Sequence, residues 1–255
     1  HFCLKKSLYI NIRLELVFMA LPKVGYPTYE LELPSTGKTV KYRPFLVKEE
    51  KVLLLALESE DEKQVINAVK DLIKNCVLSR LKIDTLPSFD LEYIFLKIRA
   101  ASIGEMITLT VTCLDDNETQ VEAQININEV EVTKPEGHDK KIMFEGDMGI
   151  VMQYPSMKQF VDREFLNKDL KTEEVYSFIA DSIDQIFDGE EVYDSSTTTK
   201  KEFRTFVDGL TTKQFEKIQQ FYVTCPKLSH TFTVVNPKTG KDSEYTIEGL
   251  QSFFA

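Results

Sequence analysis

The sequence predicts an α+β fold in a chain of 255 residues. Short segments that alternate apolar and polar residues stand on either side of turn sequences, which is the pattern of β-hairpins. Longer segments repeat apolar residues at three- and four-residue spacing, which is the pattern of amphipathic helices. We expect two β-hairpins packed with helices in the N-terminal half, and a mainly helical C-terminal half that ends in a β-hairpin and a short terminal helix.

The N-terminal half shows these patterns most clearly. Gly37 lies in a turn between two alternating segments, and glycine there permits a positive φ. The sequence Ser59-Glu60-Asp61-Glu62 is a capping signature that starts a second helix after the first one. The predicted elements are strands at residues 29–33 and 39–42, helices at 47–57, 59–75 and 88–101, and strands at 105–113 and 119–127.

The C-terminal half begins after a polar segment, residues 131–141, which contains Pro135 and Gly137. We predict a connecting loop here and a soft boundary between regions 19–134 and 135–255, although the two could form one continuous domain. Apolar residues then repeat with helical spacing, at Met157, Phe160, Val161 and Phe165, and again at Val175, Phe178, Ile179, Ile183, Ile186 and Phe187.

The remaining C-terminal elements follow from turn and capping sequences. Thr211 to Gln214 form a capping box ahead of a helix. The predicted elements are short strands at 142–144 and 150–153, an exposed loop at 193–201, a short helix at 203–207, a helix after 214, final strands at 231–235 and 245–247, and a short helix at 249–255.

Residues 1–18 are open to two interpretations. Met19-Ala20 is typical of a natural start, which predicts that residues 1–18 are an upstream extension of doubtful origin. The alternative is a half-buried strand, because apolar residues alternate with mainly polar ones at Leu8, Ile10, Ile12, Leu14, Leu16 and Phe18. Asn11, Arg13 and Glu15 interrupt the apolar stretch, so we do not expect a secretory signal.

The charge of the chain indicates which partners to expect. A formal net charge of −10 and a pI near 5.0 argue against duplex DNA and anionic membranes, because both partners need clustered Lys and Arg. The four cysteines, Cys3, Cys76, Cys113 and Cys225, form no C-x-x-C pair, so we expect reduced thiols and neither a disulfide framework nor a zinc site. No segment reaches the roughly 20 apolar residues of a membrane-spanning helix.

Few residues are candidates for catalysis. We expect His138, in an acidic loop, to be a solvated surface residue. Cys225 and His230 suggest a Cys-His dyad in form, but their five-residue spacing across Pro226 defines no common face. The carboxylates Asp115, Asp116, Glu190 and Glu191 stand in turns, where charge is usually solvated. We therefore predict no catalytic residues, no metal and no cofactor.

The chain end carries the strongest signal for binding. Phe253 and Phe254 place two large apolar rings where a chain normally frays, so something must cover them. They either dock onto the protein's own core or contact a partner or a second copy. Together with Leu250 and Tyr245, they are our predicted partner-binding residues.

Three long strings resemble a known family: TYELELPSTGKTVKYRPFLVKEEKVLLLALE at residues 28–58, LPSFDLEYIFLKIR at 86–99, and PKLSHTFTVVNPKTGKDSEYTIEGLQSFFA at 226–255. Together they resemble the baseplate hub protein family of T-even-like contractile-tailed bacteriophages. The resemblance covers most of residues 21–255 and is weakest across 131–212.

The resemblance implies a role in building the central hub of the baseplate. It implies other hub proteins, and the tape-measure protein, as partners, in the host cytoplasm during assembly or in the tail baseplate of the virion. Our leading hypothesis is a non-enzymatic hub component or hub-assembly chaperone, with self-association left open. The alternatives are a hub-associated cell-wall hydrolase and a nucleic-acid-binding tail factor.

Overall fold

The computed structural model describes residues 25–59, 61–156 and 172–249. The helices of these segments are α1 (Val47–Glu58), α2 (Glu62–Cys76), α3 (Ser88–Ile103), α4 (Thr172–Asp181), α5 (Lys200–Asp208) and α6 (Thr212–Val223). The strands are β1 (Tyr29–Glu32), β2 (Thr39–Tyr42), β3 (Met106–Thr112), β4 (Gln120–Asn126), β5 (Glu131–Thr133), β6 (Lys141–Met143), β7 (Met148–Met152), β8 (Ile183–Asp188), β9 (Glu191–Asp194), β10 (Lys227–Val235) and β11 (Asp242–Glu248). The α+β class predicted from the sequence is confirmed.

The first hydrophobic core joins the N-terminal half to the final hairpin. Helices α1, α2 and α3 pack with the antiparallel hairpins β1–β2 and β3–β4, and side chains such as Ile94 on α3 and Ile125 on β4 are fully buried between them. Leu228, on β10, is buried in the same core. The tips of two hairpins are also tied together, because Asn236 Nδ2 donates to Asp115 Oδ1 at 2.8 Å.

The second hydrophobic core is built from residues that lie, in sequence, between strands β5 and β10. Strand β5 pairs antiparallel with β10, Leu228 opposite Val132, and the residues between these strands build a separate core. That core contains the antiparallel sheet β6–β7–β8–β9 and helices α4, α5 and α6.

The two cores meet at the start of α3. The Ser88 N–H donates to the Pro155 carbonyl at 3.1 Å, and Phe89 packs edge-on against Tyr154 with ring centroids 5.1 Å apart. The second core is therefore attached both through the β5–β10 pair and through this side contact.

The prediction of a mainly helical C-terminal half is wrong. The helix expected to run through Ile183, Ile186 and Phe187 ends at Asp181, and these residues form strand β8. The pairing of β7 with β8 shifts register between Val151 and Met152. Because of this shift, Ile183 and Ile186 lie in the same core although they are three residues apart in a strand. The bulge therefore produces a three-residue spacing that imitates a helix.

Three smaller expectations also need correction. The segment predicted as a connecting loop contains β5, and the segment predicted as an exposed loop begins with the end of β9. Residue Ser59 ends α1, while Asp61 caps α2 by accepting from the Lys63 N–H. Predictions for residues 1–18, for the helix at 157–165 and for the terminal helix at 250–255 lie outside the described residues.

Across the described segments, no helix combines the length and apolar character needed to cross a membrane.

Candidate interaction surfaces

Helix α1 exposes an unusual amount of aliphatic surface. Four of its aliphatic residues are at least half exposed: Val47 at 80%, Val52 at 52%, Leu54 at 52% and Leu55 at 55%. The opposite side of the helix is buried through Leu53 and Ala56, which pack into the first core. Large aliphatic side chains cluster in this way where a protein meets another protein.

The exposed face also has an ordered arrangement of charge. Lys51 and Glu58 are exposed and lie seven residues apart on α1, with Leu54 between them. Residues at this spacing share one face of a helix. The face therefore has aliphatic side chains at its centre and one charge of each sign near its ends.

A buried ion pair fixes the beginning of α1. Arg43 Nη2 donates to Glu49 Oε1 at 3.1 Å, and it also donates to the Asn75 carbonyl at 3.0 Å at the end of α2. The Glu49 carboxylate in turn accepts from the Leu46 N–H at 2.7 Å, which holds the first turn of α1. The helix is thus anchored to both β2 and α2 while its outer face stays exposed.

The electrostatics of the pair keep both groups charged. Burial opposes ionisation of Glu49, but hydrogen bonds from the Arg43 guanidinium and the Leu46 N–H, together with the charge of Arg43, outweigh it and lower the pKa of Glu49. Burial likewise opposes the charge of Arg43, and its bond to Glu49 reverses that effect and raises the pKa of Arg43. The anchor of α1 is therefore ionic at neutral pH.

Tyr245 is the one predicted partner-binding residue within the described segments. It is half-buried on β11, its ring stacks on Phe232 with centroids 5.7 Å apart, and its hydroxyl donates to the Thr112 carbonyl at the end of β3. Both the ring and the hydroxyl of Tyr245 therefore make contacts within the chain. Leu250, Phe253 and Phe254 lie outside the described residues.

The sheet of the second core has a smaller apolar surface on the side away from its helices. Met143 pairs with Gly149, Gly149 with Phe187, and Phe187 with Val192 across the four strands, and Met143 and Val192 are exposed. The Phe187 ring occupies the space above Gly149, where a Cβ atom would lie 2.5 Å from the ring. The Phe187 ring thus fills the space that a side chain at position 149 would need.

The prediction that His138 is a solvated surface residue is wrong, because His138 is only 6% exposed. Its ring stacks on Tyr154 and Phe221, Nδ1 lies 2.9 Å from Thr224 Oγ1, and Nε2 lies 3.2 Å from the Tyr154 hydroxyl. Burial, with the nearby charge of Lys134, lowers the pKa of His138. This histidine holds the 134–140 segment against α6, and the acidic sequence around it gave no sign of that packing.

The Cys-His dyad gains no support from the positions of its residues. Cys225 packs against the second core, whereas His230 stacks beside Phe232 on β10, with ring centroids 6.2 Å apart. The thiols of Cys76, Cys113 and Cys225 form no disulfides in the described segments.

The carboxylates in turns act as hydrogen-bond acceptors. Asp116 accepts from the Thr119 hydroxyl at 2.5 Å and from the Thr119 and Glu118 N–H groups at 3.0 and 3.1 Å, and Asp115 accepts from Asn236 and Thr239. These bonds lower the pKa of both aspartates, which is the opposite of what a general acid requires. Glu191 accepts from the Tyr193 hydroxyl.

Within the described segments, two buried carboxyl groups have raised pKa values, and both are on α3. Burial raises the pKa of Asp90, against opposing hydrogen bonds from Ser35, and burial alone raises the pKa of Glu92 to about 8. Residues two positions apart project from different sides of a helix, so Asp90 and Glu92 do not form a catalytic pair. Among the residues that the structure describes, no group of three His, Cys, Asp or Glu side chains could hold a metal ion.

These observations define an acidic α+β protein with two hydrophobic cores and an anchored helix that presents an aliphatic face. The chain belongs to the family described as T4 bacteriophage base plate protein, whose family model matches residues 26–255. The resemblance noted in the sequence is thus confirmed at the level of a T4-like baseplate protein, and the family indicates a structural role in the phage baseplate. Comparison with curated proteins gives no match, and neither does comparison with solved structures.

The α1 surface was not identified from the sequence, although a signal was present. The run Val52-Leu53-Leu54-Leu55-Ala56-Leu57 is apolar all round the helix, while a helix on the surface of a core needs an apolar stripe on one side only. Such a run indicates either full burial or a second contact, and the exposed Leu54 and Leu55 favour the second.

Proposed function

We propose that this chain is a non-enzymatic tail morphogenesis protein that acts through protein contacts, as a component of the baseplate hub or as a chaperone for hub assembly. The observation that carries the proposal is the exposed aliphatic face of α1. This helix lies within the string at residues 28–58 that most clearly resembles hub proteins, and its outer face is not used by the first core.

The proposed partners are other hub proteins and the tape-measure protein, met in the host cytoplasm during assembly or in the virion baseplate. An apolar centre supplies binding energy, and a net charge of −10 favours partners with basic surfaces and disfavours nucleic acid. A nucleic-acid-binding tail factor would retain DNA at low salt and release it steeply as salt rises. We expect no such retention in a filter-binding measurement.

Mass spectrometry of purified particles and of hub intermediates from the same infected cells tests the proposal. A fixed ratio in both samples would identify a structural hub subunit. Presence in intermediates alone would identify an assembly chaperone. Absence from both would contradict the proposal.

The terminal aromatic residues remain a proposed contact beside α1. Phe253→Ala combined with Phe254→Ala should impair complex formation more than folding, measured by pull-down and thermal melting. Equal losses in both measurements would mean that the rings belong to the protein's own core. Leu250→Ala and Tyr245→Phe extend the same comparison along this end of the chain.

The alternative of a hub-associated cell-wall hydrolase has weaker support. A hydrolase of this kind needs two carboxyl groups that face one another across the substrate, one of them with a raised pKa. Asp90 and Glu92, which are the carboxyl groups with pKa raised by burial among the described residues, are on different sides of α3. Muralytic activity that is lost with one carboxylate while folding is retained would restore the alternative.

A further inference from the structure

We infer that the exposed face of α1 binds the same face of a second copy of this chain, with the two helices antiparallel. The inference rests on the proposal that this face is a protein contact, and it names the partner. The contact would be isologous: both copies use the same surface, and where residue i of one copy meets residue j of the other, j of the first also meets i of the second.

The local charge of α1 permits two copies to approach. The whole chain carries a net charge of −10, so most of its surface repels a second copy. The outer part of α1 is balanced, with Lys48 and Lys51 against Glu50 and Glu58, while Glu49 is neutralised by Arg43 inside the protein. This apolar and locally neutral helix face avoids the repulsion that the net charge creates elsewhere.

The order of residues along α1 makes the face complementary to itself. Lys51 and Glu58 lie at equal distances, about 5 Å along the axis, on either side of the midpoint between Leu54 and Leu55. A two-fold axis at that midpoint in an antiparallel pair sets each Lys51 level with the Glu58 of the other copy. The same axis brings each Leu54 and each Leu55 against its own counterpart.

This register has a specific energetic consequence. The four leucines of the pair would bury aliphatic surface at the centre, and two identical ion pairs would flank it. A parallel pair would instead place Lys51 beside Lys51 and Glu58 beside Glu58, which is repulsive. The charges of α1 therefore select the antiparallel arrangement.

The size of the surface limits the strength of the dimer. A standard interface buries about 1,600 Å² in total, and a contact confined to one helix of 12 residues is smaller than that. We therefore expect a reversible dimer whose population depends on protein concentration.

Sedimentation velocity of the purified full chain, over a wide concentration range, tests the inference. The unchanged chain should shift from monomer to dimer as concentration rises, and Leu54→Glu should remain monomeric. Val223→Glu is the matched control, because Val223 is 67% exposed at the end of α6, outside both apolar surfaces, and acquires the same charge. It should dimerise like the unchanged chain, and thermal melting should show that both variants are folded.

A charge exchange tests the antiparallel register itself. Lys51→Glu and Glu58→Lys should each weaken dimerisation roughly tenfold, because each change creates two repulsive contacts in a symmetric pair. The double variant should restore it, since the ion pairs form again with their signs reversed. Failure of the double variant to recover would overturn the proposed register.

Two other results would overturn the proposed dimer without contradicting the proposed function. A chain that stays monomeric at every concentration excludes the dimer. If Leu54→Glu then also fails to enter hub intermediates, the α1 face binds a different baseplate protein or a further segment of this chain. A dimer that persists in Leu54→Glu places the self-contact elsewhere.

Discussion

The guanidinium of Arg43 and the carboxylate of Glu49 form a buried ion pair at 3.1 Å, with their side chains 7% and 4% exposed. The pair connects the residue after β2 to the first turn of α1. It therefore links the stability of the first core to the orientation of the helix whose outer face we propose as a contact.

Removal of one member of this pair should be strongly destabilising. Arg43→Met leaves the buried Glu49 carboxylate with only the solvent-exposed Lys48 ammonium, 3.5 Å from Oε1, as counter-charge, and we expect a loss of about 3–5 kcal/mol in the free energy of unfolding. Urea denaturation measures it. Replacing both residues with methionine should cost less than the single change, and a single variant within about 1 kcal/mol of the unchanged chain would contradict the prediction.

The same pair should make stability depend on pH in the acid range. The pKa of Glu49 is lowered in the folded state, so its contribution is present above its ordinary value of 4.5 and is lost as pH falls through the lowered value. Arg43→Met should flatten this part of the stability curve. An unchanged curve would mean that other carboxylates dominate acid unfolding.

Gly149 on β7 should tolerate no side chain. A Cβ atom there would lie 2.5 Å from both the Ile142 carbonyl oxygen and the Phe187 ring, so we expect Gly149→Ala to cost about 1–3 kcal/mol. Gly209→Ala is the control, because its Cβ would meet its nearest atom, the Phe206 oxygen, at 3.4 Å. Thermal melting should separate the two variants, and equal melting temperatures would contradict the close contact.

The elements that the sequence predicted well are those whose signals are local. The hairpins β1–β2 and β10–β11 combine alternating strands with turn glycines, and Gly37 and Gly240 have φ values of 66° and 71° as such turns require. The capping boxes at Thr199 and Thr211 likewise begin helices, and the one at Thr211 was predicted.

The elements that the sequence missed depend on distant partners. Strand β5 has three residues, and its partner β10 begins at Lys227, so no local pattern revealed it. The bulge in β8, where one step from Val151 to Met152 of β7 faces two residues, gave Ile183 and Ile186 a helical spacing. His138 is buried by Tyr154 and Phe221, which are remote in sequence, and its own neighbours are polar.

His138 should make the second core less stable in mild acid. Burial and the charges of Lys134 and Lys140 lower its pKa, and only Asp139 opposes them, so the folded state binds a proton less readily than the unfolded chain. The stability linked to the neutral ring is therefore complete above about pH 6.5 and is lost as pH falls below it.

His138→Phe separates this titration from the packing of the ring. The variant keeps an aromatic ring between Tyr154 and Phe221 but removes the ionisable nitrogens. The difference in melting temperature between pH 7.5 and pH 5.5 should be larger for the unchanged chain than for the variant. These two pH values lie on either side of the ordinary histidine pKa of about 6.5. A larger acid sensitivity in the variant would contradict the assignment.

Glu92 on α3 should destabilise the fold as pH rises. It is 5% exposed, and burial raises its pKa to about 8, so the folded protein holds a proton on Glu92 at neutral pH while the unfolded chain releases it. Because the folded state binds more protons between the ordinary pKa of 4.5 and about 8, stability falls with increasing pH across that window and levels off above it.

Glu92→Gln tests this titration, because glutamine carries no proton to release. We expect it to be more stable than the unchanged chain by about 1–3 kcal/mol at pH 8 and similar to it near pH 4.5, measured by urea unfolding at each pH. Glu118→Gln, an exposed position in the β3–β4 turn, is the matched control and should follow the unchanged chain. A constant difference between Glu92→Gln and the unchanged chain at every pH would show that packing, and not ionisation, distinguishes them.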